Sequence, residues 1–127
     1  TCEPQIKEIG DLISRTDVLL FGIGTAMRMA DQRHIADDVR KQLVDNHAVG
    51  EALGQYCDID GKLIYSTNNI GLSLPDVAKI PNVIAVAGGQ DKSSAIIGVM
   101  RACQKGILII DEQAAEGMRQ LLQISAL

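Results

Sequence analysis

Three short, uninterrupted apolar runs constrain this chain more than any other feature. They are Val18-Leu19-Leu20-Phe21-Gly22-Ile23-Gly24, Val83-Ile84-Ala85-Val86-Ala87 and Ile107-Leu108-Ile109-Ile110. A strand wetted on one side alternates apolar and polar residues, and these do not. They read as strands buried on both faces, the pattern of a parallel sheet. The stretches between them carry helical spacing. Residues 3–15 place Ile6, Ile9, Leu12 and Ile13 on one stripe. Ile35, Val39, Leu43 and Val44 form a second, with Asp37, Asp38, Arg40, Lys41 and Asp45 facing away. Ile96, Ile97, Val99 and Met100 lie on a helix expected over 91–103, with Gly106 as its stop. Asp111 caps a last helix that runs to 122. Strands alternating with helices predict an α/β domain built on a parallel sheet. One piece departs from that pattern. Residues 54–58 and 62–65 flank an Asp60-Gly61 turn signal and predict a small antiparallel hairpin insertion. Residues 74–80 read as a short helical turn, broken by Pro81-Asn82.

Length and composition narrow the function classes. At 127 residues the chain is one domain or a large part of one. Its first residue is Thr, which reads as the start of a piece of a longer protein. A net charge of -4 argues against a grip on nucleic acid by this chain alone, because phosphate contacts need clustered Lys and Arg. The aromatic residues are only Phe21, Tyr56 and Tyr65, too few for a base-stacking platform. No apolar run approaches the ~20 residues that span a bilayer. Residues 1–10 carry Glu3, Lys7 and Glu8 rather than the apolar centre of a signal peptide. Cys2, Cys57 and Cys103 fall in no CxxC or Cys/His spacing, so free thiols in a cytoplasmic protein are expected.

Open α/β sheets bind ligands outside the carboxyl ends of their strands. The first such end is Gly22-Ile23-Gly24-Thr25-Ala26-Met27-Arg28. Its glycines permit a close ligand or simply let the chain leave the strand. The third glycine of a dinucleotide fingerprint would fall at Met27, which argues against NAD. The second end is Gly88-Gly89-Gln90-Asp91-Lys92-Ser93-Ser94. Free N–H groups and the helix dipole there favour an anion. A lysine in the first helical turn opposes that dipole, and a bound phosphate or carboxylate would explain Lys92. The plainer alternative is a solvated lysine, alone or paired with Asp91 or another nearby acid. Arg28 and Arg33 are within sequence reach of the same anion, or are surface charge. Glu51, in Gly50-Glu51-Ala52-Leu53-Gly54, is either a constrained-loop acid for sugar hydroxyls or a solvated loop residue. His34 and His47 share no ligand spacing, so no metal site is expected. Ser93 and Ser94 lack a Gly-x-Ser-x-Gly context and read as helix-start residues.

Taken together, Gly22-Ile23-Gly24, the 50–61 segment, Ala87-Gly88-Gly89-Gln90-Asp91-Lys92-Ser93-Ser94-Ala95-Ile96 and the 107–111 strand resemble the sugar-binding domain of SorC-type bacterial transcriptional regulators. The resemblance covers essentially the whole chain. It implies a Rossmann-like fold similar to sugar-phosphate isomerases, deaminases and CoA-transferases. It also implies that residues 1–127 are the C-terminal part of an effector domain. The helix-turn-helix domain that grips operator DNA, and an earlier Gly- and Thr-containing phosphate loop, would lie outside them. The implied effector is a phosphorylated sugar. In the branch that represses central glycolytic genes it is fructose 1,6-bisphosphate, and its binding weakens the hold on the operator. By position, Lys92 would contact phosphate and Glu51 the sugar. Arg33, or else Arg28, would be the basic residue after the Gly-x-Gly strand. Gln90 and Gly89 would be neighbours of the ligand. A homo-oligomer, dimer or tetramer, is implied, with no catalytic residue, cofactor, metal or membrane partner. Two other readings stand beside this one. A sugar-phosphate isomerase or deaminase of the same fold would take Glu51, Asp91 or Asp111 as its base. An oligomerisation piece would use the stripe Met118, Leu121, Leu122, Ile124 and Leu127.

Overall fold

The computed structural model describes residues 15–67 and 73–123. The helix expected over 3–15 lies almost wholly outside them, as do Cys2, Ile124 and Leu127. The three apolar runs form one sheet in the order β1 (Val18–Gly22), β6 (Asn82–Ala87), β7 (Ile107–Ile110). Both pairings are parallel, with Leu20 opposite Ile84 and Ile84 opposite Ile107. Side chains alternate across a strand. Phe21, Val83, Ala85 and Ala87, with Leu19, Leu108 and Ile110, therefore share one face. That face packs on α3 (Ser93–Cys103) and α4 (Glu112–Leu122) through Ala95, Ile96, Val99, Ala102, Cys103, Ala114 and Met118. Ile96 and Val99 are 0% exposed, and burying such a side chain contributes roughly 1.5–3 kcal/mol.

The opposite face corrects the expectation of strands buried on both sides. Val18, Leu20, Val86, Ile107 and Ile109 are all exposed among the described residues, because both helices lie on the inner face. The last helix forms as expected, and the Asp111 carboxylate accepts the Ala114 N–H at 2.8 Å. The stop of α3 does not: the left-handed residue is Gln104 (φ 58°), whose N–H reaches the Met100 carbonyl, and not Gly106.

The predicted hairpin is half of a larger unit. A second, antiparallel sheet runs β2 (Gly24–Thr25), β3 (Gly50–Ala52), β4 (Gln55–Cys57), β5 (Leu63–Ser66). The chain leaves β1 at Gly22, passes Ile23 and enters this sheet, so the first run splits between two sheets. After β2 it forms α1 (Ala26–Gln32), which sequence spacing did not reveal, and then α2 (Asp37–Asp45). Ala26, Ala30, Leu43 and Tyr56 make a second small core. A short 3-10 turn, Pro75–Lys79, stands where one was expected.

Helix α3 joins the two sheets at two glycines. A Cβ on Gly98 would stand 2.4 Å from the Asp58 carbonyl oxygen and 3.0 Å from Val49 Cγ2. A Cβ on Gly50 would stand 2.9 Å from Ala95 backbone atoms. Backbone thus meets backbone where β3 crosses α3, and the spacing between the sheets is fixed there. Cys57 and Cys103 are free, as expected, and burial pushes their thiols up to about 12 and about 11.

Candidate functional site

A cleft of about 490 Å³ opens at the carboxyl ends of β1 and β6, beside Gly22 and Val86. Cavities of this size accommodate small molecules. Two glycine-bearing strand ends and the junction between the sheets create it. The first charged group comes from α1. Arg28 lies on that helix, and Arg33 follows its last turn, where the Arg33 N–H still bonds the Met29 carbonyl at 3.0 Å. The neighbouring His34 turns into the left-handed region (φ 51°) and ends the helix.

Glu51 comes from β3. The expectation of a loop acid is corrected, because Glu51 is in the middle of a three-residue strand in which every residue is buried. Pairing explains this: Glu51 lies between Gly24 of β2 and Tyr56 of β4. Its side chain is 4% exposed, and one oxygen, Oε1, takes two donors. Arg33 Nη2 donates from 3.0 Å and the Gly54 N–H from 2.8 Å. The carboxylate is therefore anchored by its own turn on one side and by a half-exposed arginine on the other.

Lys92 comes from the second sheet end. Gly89 (φ 98°) starts a 3-10 turn, Gln90–Lys92, that leads into α3. The Asp111 carboxylate ties this turn down, with the Gly89 N–H donating from 3.0 Å and 3.1 Å to its two oxygens. Together with the Ala114 N–H, these donors hold the Asp111 carboxyl below the ordinary aspartate value. Among the described residues Lys92 makes no ion pair.

The cleft thus brings together four of the six residues that the sequence nominated: Arg28, Arg33, Glu51 and Lys92. It does not include Gln90, which lines a separate depression with Glu112, Gln113 and Glu116. Gly89 is also outside the lining, its N–H committed to Asp111. Sequence reasoning missed Met29, Gln32 and Leu53, which complete the wall. Met29 and Gln32 belong to the unpredicted α1. Leu53 occupies a two-residue hairpin turn, normally an Asn-Gly position, so the turn signal was hidden by an apolar residue. Tyr56, directly across from Glu51, has a buried hydroxyl with no partner among the described residues, and burial raises its pKa.

Three cations share a small concave space with one carboxylate, an arrangement suited to a phosphate next to hydroxyl groups. Asp91 and Asp111 are not among the lining residues, and Glu51 is already held by Arg33 and the Gly54 N–H. Among the described residues no helix is long and apolar enough to cross a membrane, and no group of three or more His, Cys, Asp or Glu is placed to hold a metal.

The chain matches the family model of a sugar-binding domain over residues 1–120. It is 38% identical over 114 residues to the central glycolytic genes regulator of Bacillus subtilis, covering 90% of this chain and 34% of that protein. A SorC-family transcriptional regulator from Enterococcus faecalis superimposes with a TM-score of 0.83 at 39% identity, covering 91% of this chain and 47% of that one. A transcriptional regulator from Streptococcus pneumoniae does so at 0.80 and 26%, covering 98% and 48%. The chain spans about a third of the length of the curated regulator and about half that of the solved domains.

Proposed function

The chain belongs to the sugar-binding domain family of SorC-type transcriptional regulators, and from that premise we propose that it is the ligand-sensing half of a repressor's effector domain. Its ligand is a phosphorylated sugar, and fructose 1,6-bisphosphate is the first candidate. The observation that carries this reading is the convergence of Arg28, Arg33 and Lys92 on the cleft that also holds the buried Glu51. The cations meet phosphate, and Glu51 takes sugar hydroxyls. No bond is made or broken, and the domain works by differential binding in the cytoplasm. A ligand that binds one arrangement better shifts the population towards it.

Helix α3 gives that shift a route. Lys92 precedes it, and its backbone is pressed against β3, which carries Glu51. A ligand drawing Lys92 and Arg33 together loads both sheets at once. DNA binding belongs to another domain of the regulator, whose copies separate from the operator when subunits rearrange.

The test is calorimetric titration of the full-length protein with fructose 1,6-bisphosphate, fructose 6-phosphate, dihydroxyacetone phosphate and fructose. Binding of one phosphosugar is expected, with none for fructose. Lys92→Ala should weaken it about tenfold to a hundredfold, since a hydrogen bond to a charged group contributes about 1.5–3 kcal/mol. No binding of any phosphosugar, or an unchanged affinity in Lys92→Ala, overturns the assignment. Turnover of a phosphosugar would replace it with the isomerase or deaminase reading.

A further inference from the structure

The β3–β4 turn holds a leucine where a hairpin of this length asks for asparagine. Leu53 has φ 55° and Gly54 has φ 78°, the signature of a two-residue type I′ turn. Only Gly, and to a lesser extent Asn and Asp, enter the left-handed region readily, and other L-residues do so at a cost of about 1–2 kcal/mol. That conformation persists only where its surroundings fix it. Here they do: the Gly54 carbonyl accepts both the Thr67 N–H and the Thr67 hydroxyl at 2.8 Å, and the Gly54 N–H is bound to Glu51. Leu53 is half-buried: it packs against the main core and also lines the cleft with Glu51, Arg33 and Lys92.

We infer that Leu53 is a specificity-determining residue of this cleft, an apolar wall for the C–H face of the ligand's carbon skeleton. The inference rests on the phosphosugar reading above and deepens it. Cations and a carboxylate recognise phosphate and hydroxyls, and any small polyanion could satisfy the cations. An apolar side chain at the same opening distinguishes a sugar phosphate from a bare one. Core packing favours a leucine at this turn, and asparagine, although it suits the turn, would remove both that packing and the wall.

The experiment titrates the full-length protein with fructose 1,6-bisphosphate and with pyrophosphate, a carbon-free polyanion, in wild type, Leu53→Asn and Leu53→Met. Leu53→Asn should weaken the sugar bisphosphate about tenfold, equal to ~1.4 kcal/mol. Its affinity for pyrophosphate should stay within about twofold, equal to ~0.4 kcal/mol. Leu53→Met restores a hydrocarbon at the same position and should recover most of the loss. Relief of the turn offsets lost packing, so the melting temperature of Leu53→Asn should stay near that of wild type. An unchanged sugar affinity in Leu53→Asn overturns the inference. So does a parallel loss of pyrophosphate, which would mean that the turn and Glu51 have moved, and so does a failure of Leu53→Met to rescue. Failure of the wild type to bind the sugar bisphosphate is a different result: it removes the phosphosugar reading itself, and the inference falls with it.

Discussion

Replacing Glu51 by Gln tests whether the buried carboxylate touches the sugar or merely holds Arg33. Glutamine keeps the shape and can still accept the Gly54 N–H, now at 2.8 Å. It loses the charge that faces Arg33 at 3.0 Å. Arg33 is 41% exposed, so solvent screens that pair and its loss costs no more than about 1 kcal/mol. Burying an amide in place of a carboxylate offsets part of this cost. For a chain of this size the melting temperature should fall by no more than about 4 °C, and binding can be measured on folded protein. The ligand effects then separate. Taking about 8 Å and an effective dielectric of about 40 for one unit of charge on the nearer phosphate group, and treating the remoter charge as screened, removal of the carboxylate charge is worth about 1 kcal/mol in total. Pyrophosphate should therefore bind about fivefold tighter to Glu51→Gln. The sugar bisphosphate gains the same term but exchanges a charge-assisted hydroxyl contact for a neutral one, a loss of about 1 kcal/mol. Its affinity should hardly move. The ratio of the two affinities, read by titration calorimetry at fixed salt, should thus fall about fivefold. Equal changes for both ligands would refute the hydroxyl contact and leave Glu51 as an anchor for Arg33.

Three further outcomes follow from the same coordinates. Gly98→Ala drives a methyl into the Asp58 carbonyl oxygen, against backbone that has no rotamer to yield; it should cost about 1–3 kcal/mol, as overpacking does, and a denaturation midpoint equal to wild type would disprove the close approach of α3 to the chain just after β4. Asp111 titrates below its ordinary value, so its stabilisation is complete above about pH 4, where the unfolded carboxyl ionises, and fades as pH falls through the lower folded value. The melting-temperature gap between wild type and Asp111→Asn should accordingly be full at pH 6 and shrink below pH 4, and a pH-independent gap would contradict the turn-tethering role. Tyr56→Phe removes a buried hydroxyl that has no partner among the described residues, so it should leave stability unchanged or raise it by about 1 kcal/mol; a loss of that size would reveal a partner for the hydroxyl.

The parallel sheet was legible because its signal is local. Three apolar runs, each ended by Gly or Asp, fix strand and order of burial without knowledge of any distant residue. Asp111 and Lys92 were legible for the same reason, since a cap and a helix-opening lysine are read from their immediate neighbours. Glu51 was nominated, and it lines the cleft with the nominated cations, but the sequence put it in a loop. Its strand is three residues long and exists only through pairing with Gly24 and Tyr56, 27 and 5 positions away. No period can emerge from so short a segment. The outer face of the parallel sheet went wrong in the opposite sense. The runs carry apolar residues at Val18, Leu20, Val86, Ile107 and Ile109, and both described helices that pack on this sheet take the other face. A sequence states what a surface is suited to meet, and the helices decide which surface is met.

Leu53 shows the deeper limit. A hairpin turn is recognised from the residues that relieve its backbone, and here the backbone is left unrelieved. Local and global preferences agree along most of a natural chain, and they part where a residue serves distant contacts that its own turn does not need; Leu53 packs against the main core and lines the cleft. The position at which turn chemistry failed to announce the turn is also on the wall of the cleft that holds the carboxylate and the cations. Arg28, Arg33 and Lys92 would attract any phosphate. A leucine lining the same cleft is the feature that makes a choice among phosphates, which is why its replacement by the residue that the turn prefers should change selectivity before it changes stability.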